Sequence, residues 1–365
     1  MKLRCCFAIG LAAALLTVAT HAAASGQAGG SLDPLKRPSA ISARALSALM
    51  TAVAPAGPRL VAVGERGTIL VSDDQGQSWR QRPAPVSVML TNIRFTADGR
   101  RGWAVGHGGV VLTTSDGGET WSKQLDGIQV AAIVLNAVRD KGATDDAGKR
   151  ALGDAERLVT DGPDKPFLDL LVSDDTNVTV VGAYGLALET RDGGASWQPL
   201  LGRLRNDKGS HLYAIRRCGE VVYIVGEMGS VFRSTDGGRS YAALSSPYGG
   251  SYFGVVCSGP QRVLAFGLRG NAYTSEDGGT SWKQSAAAVS ASLTGGALMK
   301  DGSVVVVSQA GNVLRSIDGG EHFISIDIKT PVPFVGVAQA ADGSLVMAGA
   351  RGMTRAALNL ETSQR

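Results

Sequence analysis

The segment RGWAVGHGGVVLTTSDGGETW (101–121) contains two short motifs that recur along the chain. One is VGHGG (105–109), a V-G-x-x-G pattern. The other is TSDGGETW (114–121), which follows S/T-x-D-x-G-x-S/T-W and is called the box below. Because the two motifs return together at a nearly regular interval, they indicate an array of structural repeats.

The box occurs six times, and the spacing of its aspartates defines the repeat. These aspartates are Asp74, Asp116, Asp192, Asp236, Asp277 and Asp318, at intervals of 42, 76, 44, 41 and 41 residues. A V-G-x-x-G-like motif precedes every box and occurs once more, without a box, as AGARG (348–352). The chain therefore holds seven units, and the long interval contains one ordinary unit plus an insertion.

Each unit is predicted to form four short strands. In the first unit the β-rich runs, separated by turn residues, are ALSALMTAV (45–53), RLVAVG (59–64), TILVSD (68–73) and SWRQRP (78–83). Four-stranded units of about 40–45 residues, repeated seven times, are typical of a β-propeller. We therefore predict an all-β fold, a seven-bladed β-propeller that occupies residues 25–365.

Closure of this ring needs a strand from elsewhere, because the seventh unit ends after its third strand, MTRAAL (353–358). Residues SLDPLKRP (31–38) are placed to supply it, and their two prolines predict a short, imperfect strand. The first strand of each unit should line the central channel. Small or polar third residues such as Asn92, Asp169 and Gly296 would let seven strands converge there.

The boxes fall between the third and fourth strands, so we interpret them as structural hairpin turns. An aspartate in a turn accepts hydrogen bonds from nearby backbone N–H groups, and the following glycine tolerates a positive φ. The box aromatic is expected to pack against the neighbouring sheet. In the sixth box His322 replaces the usual hydroxyl, which predicts a looser turn. The spacing lacks the ligand pattern of an EF-hand loop, so no metal site is predicted.

These motifs resemble the Asp-box (BNR) repeat of sialidases and of many non-enzymatic propellers. Together with seven units, the segment 101–121 more closely resembles the photosystem II assembly/stability-factor family of thylakoid-lumen propellers and its bacterial relatives. The resemblance implies that the boxes are structural and lie on the face opposite the ligand-binding face. It also implies a non-catalytic protein that assists a membrane complex.

The functional residues are therefore expected at the other end of each blade, where the turns between the second and third strands differ from unit to unit. A rigid frame with variable tips is a common way to carry a binding site, although solvated hairpin tips are an equally good interpretation. The proposed binding face contains Glu65, Arg66, His107, Tyr184, Glu227, Arg269 and Arg351.

The insertion, residues 128–164, lies in the loop between the second and third units and belongs to the same face. The runs AAIVLNAVRD (131–140) and DAGKRALGDAERLVTDG (146–162) predict two helices around a polar turn. Long insertions in a compact domain are often functional, so this one is expected to cap the channel or dock a partner. The alternative is a tolerated surface elaboration.

The first 24 residues have the pattern of a secretory signal peptide: a basic start, an apolar run too short to span a bilayer, and Ala22-Ala23-Ala24 before the expected cut. We therefore predict an exported, periplasmic protein whose mature chain has no membrane span, and the alternative is an uncleaved membrane anchor. Cys218 and Cys257 are the only other cysteines besides Cys5 and Cys6. An oxidising compartment permits a disulfide between them, but two separate thiols fit the sequence equally well.

Composition and motifs exclude several functional classes. A formal net charge of +4, without basic runs that alternate with aromatics, does not indicate nucleic-acid binding. No nucleophile-elbow, phosphate-loop or cofactor motif is present. A sialidase-like glycosidase stays as an alternative, since Tyr184, Glu227 and several arginines are the types of residue that its active site needs. Two observations count against it: the Arg-Ile-Pro signature of that family is absent, and its six blades do not match the seven units.

The sequence thus predicts a protein-interaction scaffold or assembly factor for a membrane or envelope complex, with a transporter among the complexes considered. We expect a protein partner to bind the face opposite the boxes, and an integral membrane protein is one candidate for this partner. A carbohydrate- or lipid-binding propeller is the second alternative. No catalytic residue, metal or cofactor is assigned.

Overall fold

The repeats fold into seven antiparallel sheets, one per unit, in a computed structural model that describes residues 31–142, 144–287 and 289–358. The described residues from Leu32 onward belong to one compact unit. The predicted signal peptide, residues 1–24, lies outside the described residues. The seven sheets confirm the predicted β-propeller.

Six blades have four strands each, in sequential order from the channel outward. The described part of the seventh blade has three strands. Blade 1 contains β1 (Met50–Ala56), β2 (Arg59–Gly64), β3 (Ile69–Ser72) and β4 (Arg80–Arg82). Blade 2 contains β5 (Leu90–Phe95), β6 (Gly102–Gly106), β7 (Val111–Thr114) and β8 (Ser122–Leu125). Blade 3 contains β9 (Phe167–Val172), β10 (Val178–Gly182), β11 (Ala187–Thr190) and β12 (Gln198–Pro199). Blade 4 contains β13 (Leu212–Cys218), β14 (Val221–Gly226), β15 (Val231–Ser234) and β16 (Ala242–Leu244).

The remaining blades follow the same order. Blade 5 contains β17 (Tyr252–Cys257), β18 (Val263–Gly267), β19 (Ala272–Ser275) and β20 (Lys283–Gln284). Blade 6 contains β21 (Leu293–Leu298), β22 (Val304–Ser308), β23 (Val313–Ser316) and β24 (Ile324–Ile326). Blade 7 contains β25 (Phe334–Gln339), β26 (Leu345–Gly349) and β27 (Gly352–Ala356). Buried apolar clusters lie between adjacent blades, so each sheet is stabilised mainly by its neighbours.

The inserted segment forms two helices, α1 (Gly127–Lys141) and α2 (Asp146–Asp161), between blades 2 and 3, as predicted. A capping box starts α1, in which the Asp126 carboxylate accepts from the N–H of Gln129 and the Gln129 side chain accepts from the N–H of Asp126. The buried Val130 and the partly buried Val134 attach α1 to the core between blades 2 and 3. The insertion is therefore packed onto the propeller.

The prediction that residues 31–38 supply the closing strand is wrong. Residues 33–36 form a turn instead, and the segment lies against blades 1 and 2, where the carbonyl of Pro34 accepts from the N–H of Ser87 at 2.9 Å and that of Leu35 accepts from Lys123 Nζ at 2.9 Å. Each proline removes one N–H donor from a sheet ladder, which is a physical reason for this placement. The first predicted strand of blade 1 also begins later than expected, because Ala43–Ser47 form a 3₁₀ helix.

Ring closure depends on contacts between blades 1 and 7. A buried cluster joins Met50 and Leu60 of blade 1 to Val346 and Ala348 of blade 7. Hydroxyls of the inner strands connect other neighbouring blades: Thr91 Oγ1 lies 3.1 Å from the carbonyl of Val105 in its own blade and 2.7 Å from that of Phe167 in blade 3. These contacts hold inner strands together where no sheet ladder crosses between blades.

Two further points of the sequence analysis concern residues of the inner strands. In blade 6 the position equivalent to Asn92 is Gly295 and not Gly296, because Leu293 and Ser308 form the pair that Leu90 and Gly106 form in blade 2. Cys218 and Cys257 form a disulfide with a Cα–Cα distance of 5.7 Å, which joins the ends of β13 and β17.

Among the described residues, no helix is long and apolar enough to cross a membrane.

Candidate functional site

Each box closes on itself through its aspartate. In the first box, Asp74 Oδ1 accepts from the hydroxyl of Ser72 at 2.8 Å and from the N–H of Ser78 at 2.9 Å, while Oδ2 accepts from the Ser78 hydroxyl at 2.5 Å. The Ser72 hydroxyl also accepts from the N–H of Gly76 at 2.8 Å. The same set of bonds recurs at Asp116, Asp192, Asp236 and Asp277, and it recurs at Asp318 with a different donor to Oδ2.

The sixth box does not differ in this respect, although a looser turn was predicted there. His322 Nδ1 lies 2.7 Å from Asp318 Oδ2 and its backbone N–H donates to Oδ1 at 3.1 Å, so the imidazole takes the place of the hydroxyl. The prediction of a looser turn is therefore wrong.

The box carboxylates are held in their ionised form. Hydrogen bonds from the hydroxyl and N–H of the residue four positions on lower the pKa of Asp74, Asp192 and Asp277 to about 2. Their oxygens are occupied by these local donors, and the described residues contain no group of three or more His, Cys, Asp or Glu side chains arranged to hold a metal ion. The boxes thus act chemically as turn-fixing acceptors.

The turns between second and third strands lie at the opposite end of each blade, because antiparallel pairing reverses the chain at both ends of the third strand. We call this end of the propeller the tip face, and the other end the box face. In five blades the second tip residue has a left-handed backbone: Arg66, Gly108, Tyr184, Met228 and Arg269, with φ between 52° and 69°. Only the second of these is a glycine.

A left-handed backbone is costly for residues with a side chain, by roughly 1–2 kcal/mol. The four non-glycine tips nevertheless project exposed side chains, with Tyr184 63% exposed and Met228 48% exposed. Glycine would fit the same backbone without this cost, as Gly108 does in blade 2. Retained strain of this kind is a reason to look for a function of the side chains.

The two predicted tip glutamates are directed back to the scaffold. Glu65 Oε1 accepts from the N–H of Leu49 at 3.0 Å, and Glu227 Oε2 accepts from the N–H of His211 at 3.3 Å. In both cases the acceptor ties a tip to the residue that leads into the inner strand of its own blade. Both carboxylates therefore stabilise the scaffold by fixing the turn to the start of the inner strand.

An aromatic row crosses the tip face from blade 3 to blade 5. The ring centroids of Tyr184 and His211 are 4.8 Å apart, those of His211 and Tyr213 are 6.2 Å apart, and those of Tyr213 and Phe253 are 5.2 Å apart. At its outer end Lys165 Nζ lies 5.0 Å from the centroid of Tyr184, within the range of a cation–π contact. Burial raises the pKa of the Tyr213 hydroxyl, and the nearby negative charge of Glu227 adds to this effect.

The outer end of the row opens into a groove of about 850 Å³ between the inserted helices and blade 3. Its apolar lining comes from the helices and from the outer part of the blade: Val134, Val138, Ala155, Leu158, Leu186, Leu200 and Leu204. Charged side chains of both signs also line the groove: Arg150, Asp154, Arg157, Asp161, Lys165, Asp207 and Lys208. Tyr184 belongs to the lining as well, so row and groove are continuous.

The structure thus brings only part of the predicted binding face together. Tyr184 and Glu227 meet at His211, but the described residues contain no hydrogen bond between the Tyr184 hydroxyl and the Glu227 carboxylate. The other predicted residues, Arg66, His107, Arg269 and Arg351, are exposed on separate blades. This is not the paired tyrosine and glutamate geometry that a sialidase-like glycosidase requires.

Sequence reasoning missed Lys165, His211, Tyr213 and Phe253. Tyr213 and Phe253 are the second residues of two inner strands, and His211 precedes one of them. An aromatic at this strand position in successive units was the available signal. The contact with Tyr184 on the preceding blade arises only in the folded ring.

Seven sheets with hairpins fixed by box aspartates define an Asp-box, or BNR-type, β-propeller with a helical insertion beside its tip face. This chain belongs to the family described as photosynthesis system II assembly factor YCF48, whose family model matches residues 58–131 and 157–330. The match extends over both sides of the insertion and confirms the predicted family.

Three solved structures share this fold at low sequence identity. The protein described as YCF48 bound to D1 peptide is 18% identical, with a TM-score of 0.62 over 86% of this chain and 95% of that one. YCF48 from Cyanidioschyzon merolae is 14% identical, with a TM-score of 0.62 over 86% and 96%. A streptogramin B lyase is 12% identical, with a TM-score of 0.63 over 86% and 95%, so enzymes also use this fold. No curated protein matches the chain.

Proposed function

We propose that this protein is a non-catalytic, exported propeller that binds a segment of a partner protein across its tip face and so assists a membrane or envelope complex. The observation that carries the proposal is the aromatic row from Tyr184 to Phe253, which joins an apolar groove to the centre of the ring. Partly exposed aromatic side chains are enriched at protein–protein interfaces because they bury a large area at low entropic cost.

The geometry favours an elongated ligand over a compact one. The row extends over three blades, and its rings are tilted or perpendicular to one another, with interplanar angles of 55°, 58° and 87°. Rings tilted in this way form no continuous flat platform on which several sugar units could stack, whereas a peptide can place side chains between them. The structure of a family member is described as bound to D1 peptide, which supports a peptide ligand here.

Export to the periplasm belongs to the same proposal. Removal of residues 1–24 would leave a chain whose cysteines are Cys218 and Cys257. These two form a disulfide, as proteins of oxidising compartments commonly do. An integral membrane protein, for example a transporter subunit, is a partner that such a protein meets at the envelope.

Site-specific photo-crosslinking tests the binding face. A photoreactive residue is placed at Met228 on the tip face, and the matched control is placed at Ile317, which is 78% exposed in the box of blade 6. The proteins are expressed in their own cell envelope, and the adducts are identified by mass spectrometry. We expect a discrete protein adduct from position 228 that unlabelled wild-type protein competes away and that the Tyr184→Ser protein competes poorly.

Equal adducts from positions 228 and 317, or equal competition by wild type and Tyr184→Ser, would contradict binding through the tip face. Export is tested separately, by cell fractionation and N-terminal sequencing of the mature protein. A chain that retains residue 1 in the cytoplasm would overturn the proposed localisation without affecting the crosslinking result.

A further inference from the structure

The central channel contains charged residues that the tip-face proposal does not use. Three neighbouring inner strands contribute them: Asn92 and Arg94 from β5, Asp169 from β9, and Arg216 from β13. All four line a cavity of about 70 Å³ at the axis of the ring. The other described residues that line it are uncharged, so the cavity wall carries two guanidinium groups and one carboxylate.

The carboxylate of Asp169 is completely buried, and its nearest partners are fixed. Oδ1 accepts from Asn92 Nδ2 at 2.7 Å, and Oδ2 accepts from the N–H of Ile215 at 2.9 Å and from the guanidinium of Arg216. Arg94 Nη2 is 3.8 Å from Oδ1, which is too long for a hydrogen bond. One carboxylate is therefore shared unequally by two cations, and Arg216 has the closer contact.

Several guanidinium N–H groups remain available to the channel. Arg94 uses Nη1 for Asn92 Oδ1 at 3.0 Å and for the carbonyl of Ile93 at 2.8 Å, and Arg216 uses Nη1 for Asp169 and for the carbonyl of Ile215. Among the described residues, Nε and Nη2 of both arginines have no hydrogen-bond acceptor. The two side chains are 29% and 26% exposed, so a small molecule in the channel can reach them.

The two arginines of the cavity outnumber its one carboxylate, and this net positive charge persists at neutral pH. Burial, and then the positive charge of Arg216, lower the pKa of Arg94 to about 10, which still leaves this arginine protonated at neutral pH. Two like charges enclosed by a narrow protein wall repel each other more strongly than they would in water. A second anion beside Asp169 would relieve this repulsion.

We propose that the channel is a binding site for one small oxyanion, of carboxylate or phosphate chemistry, held by the free N–H groups of Arg94 and Arg216. The planar guanidinium matches the paired oxygens of such anions. The cavity volume admits an anion of a few heavy atoms. The inner end of the aromatic row borders this site, since Tyr213 and Phe253 also line the cavity. Neither arginine belongs to the row, so variants of Arg94 and Arg216 test the anion site without changing a residue of the row.

Calorimetric titration of the folded protein tests this site, with sodium phosphate or sodium acetate as the probe and sodium chloride to keep the ionic strength constant. We expect saturable binding with one site per chain for at least one of the two probes, and the stronger probe identifies the chemistry. Arg94→Gln and Arg216→Gln are expected to weaken binding by about tenfold or more, since each removes a charge-assisted contact. Arg239→Gln, an exposed change on the box face, should leave binding unchanged.

Wild-type protein that shows no saturable binding of either probe overturns the proposal, whatever the variants do. Binding that persists equally in both glutamine variants also overturns it. Should a glutamine variant fail to fold, Arg94→Lys and Arg216→Lys keep the charge and remove the planar fork, and we expect weaker but detectable binding by both. Equal affinity in wild type and in both lysine variants would contradict a site built on guanidinium geometry.

Discussion

The side-chain oxygen of Gln75 accepts a hydrogen bond from the backbone N–H of Ala341 at 2.7 Å, and so connects the first box to the seventh blade. The backbone carbonyl of Gln75 also accepts from Arg355 Nε at 3.1 Å, and its side-chain amide donates to the carbonyl of Pro58 at 2.8 Å. The bonds to Ala341 and Arg355 join blades 1 and 7 where no fourth strand of blade 7 is described, and the bond to Pro58 holds the Gln75 side chain within blade 1.

Gln75 pays a conformational cost for this role, because its φ is 62° where the other boxes have glycine. We predict that Gln75→Ala lowers the free energy of unfolding by about 1–2 kcal/mol, since it loses two side-chain hydrogen bonds and keeps the left-handed strain. Gln75→Gly should lose less, because glycine relieves that strain. Urea unfolding of the three proteins gives the order, and an alanine variant as stable as wild type would contradict a closing role for the side chain.

The disulfide between blades 4 and 5 closes a chain segment with a sequence separation of 39. In the chain-entropy account, removal of a crosslink over such a segment costs about 4 kcal/mol. Cys218→Ser, Cys257→Ser and the double variant should therefore be destabilised similarly, and dithiothreitol should lower the unfolding midpoint of wild type only. An unfolding midpoint of wild type that does not respond to dithiothreitol would show that the pair contributes little.

The boxes predict a loss of stability in acid. The pKa of Asp192 is about 2 in the folded protein and 3.8 in its ordinary state. A carboxyl with a depressed folded pKa stabilises the fold above its unfolded value, and this stabilisation is lost as the pH falls from about 4 toward 2. Wild type should lose stability over that window, and Asp192→Asn should lose less of it. Unfolding midpoints between pH 2 and 6 check this, with Asp140→Asn on α1 as the control.

If Asp192→Asn and wild type lose stability in parallel between pH 4 and 2, the box carboxylate does not contribute to acid unfolding. The asparagine variant is also expected to be less stable than wild type at neutral pH. Its amide retains one acceptor oxygen for the N–H of Ser196 and loses the second, which accepts from the Ser196 hydroxyl at 2.5 Å.

Much of the fold was predictable because it is built from local signals that repeat. The run RLVAVG (59–64) coincides with β2, and the boxes coincide with the turns after the third strands. Each of these depends on residues a few positions apart. Ring closure was predicted wrongly because it depends on which distant segment meets blade 7, and nothing local in 31–38 specifies that meeting.

The tip face was predictable as a location but not as a set of side chains. The variable positions of V-G-x-x-G identify the turn, yet the sequence does not show that Glu227 turns back to the N–H of His211 while Met228 projects outward. That division follows from the left-handed backbone of the second tip residue. The contact of Tyr184 with His211 on the next blade depends on how adjacent blades pack, which no motif within one unit encodes.

The left-handed tips predict opposite changes in stability and in binding. Met228 has a φ of 52° and is 48% exposed, so Met228→Gly removes backbone strain and little packing. Relief of about 1–2 kcal/mol of strain exceeds the entropic cost of a glycine, about 0.5–1 kcal/mol, so the unfolding midpoint should stay unchanged or rise slightly. The same variant should compete less well than wild type for the adduct formed from position 228. A clear drop in stability would show that Met228 is structural, and undiminished competition would show that binding does not use this tip.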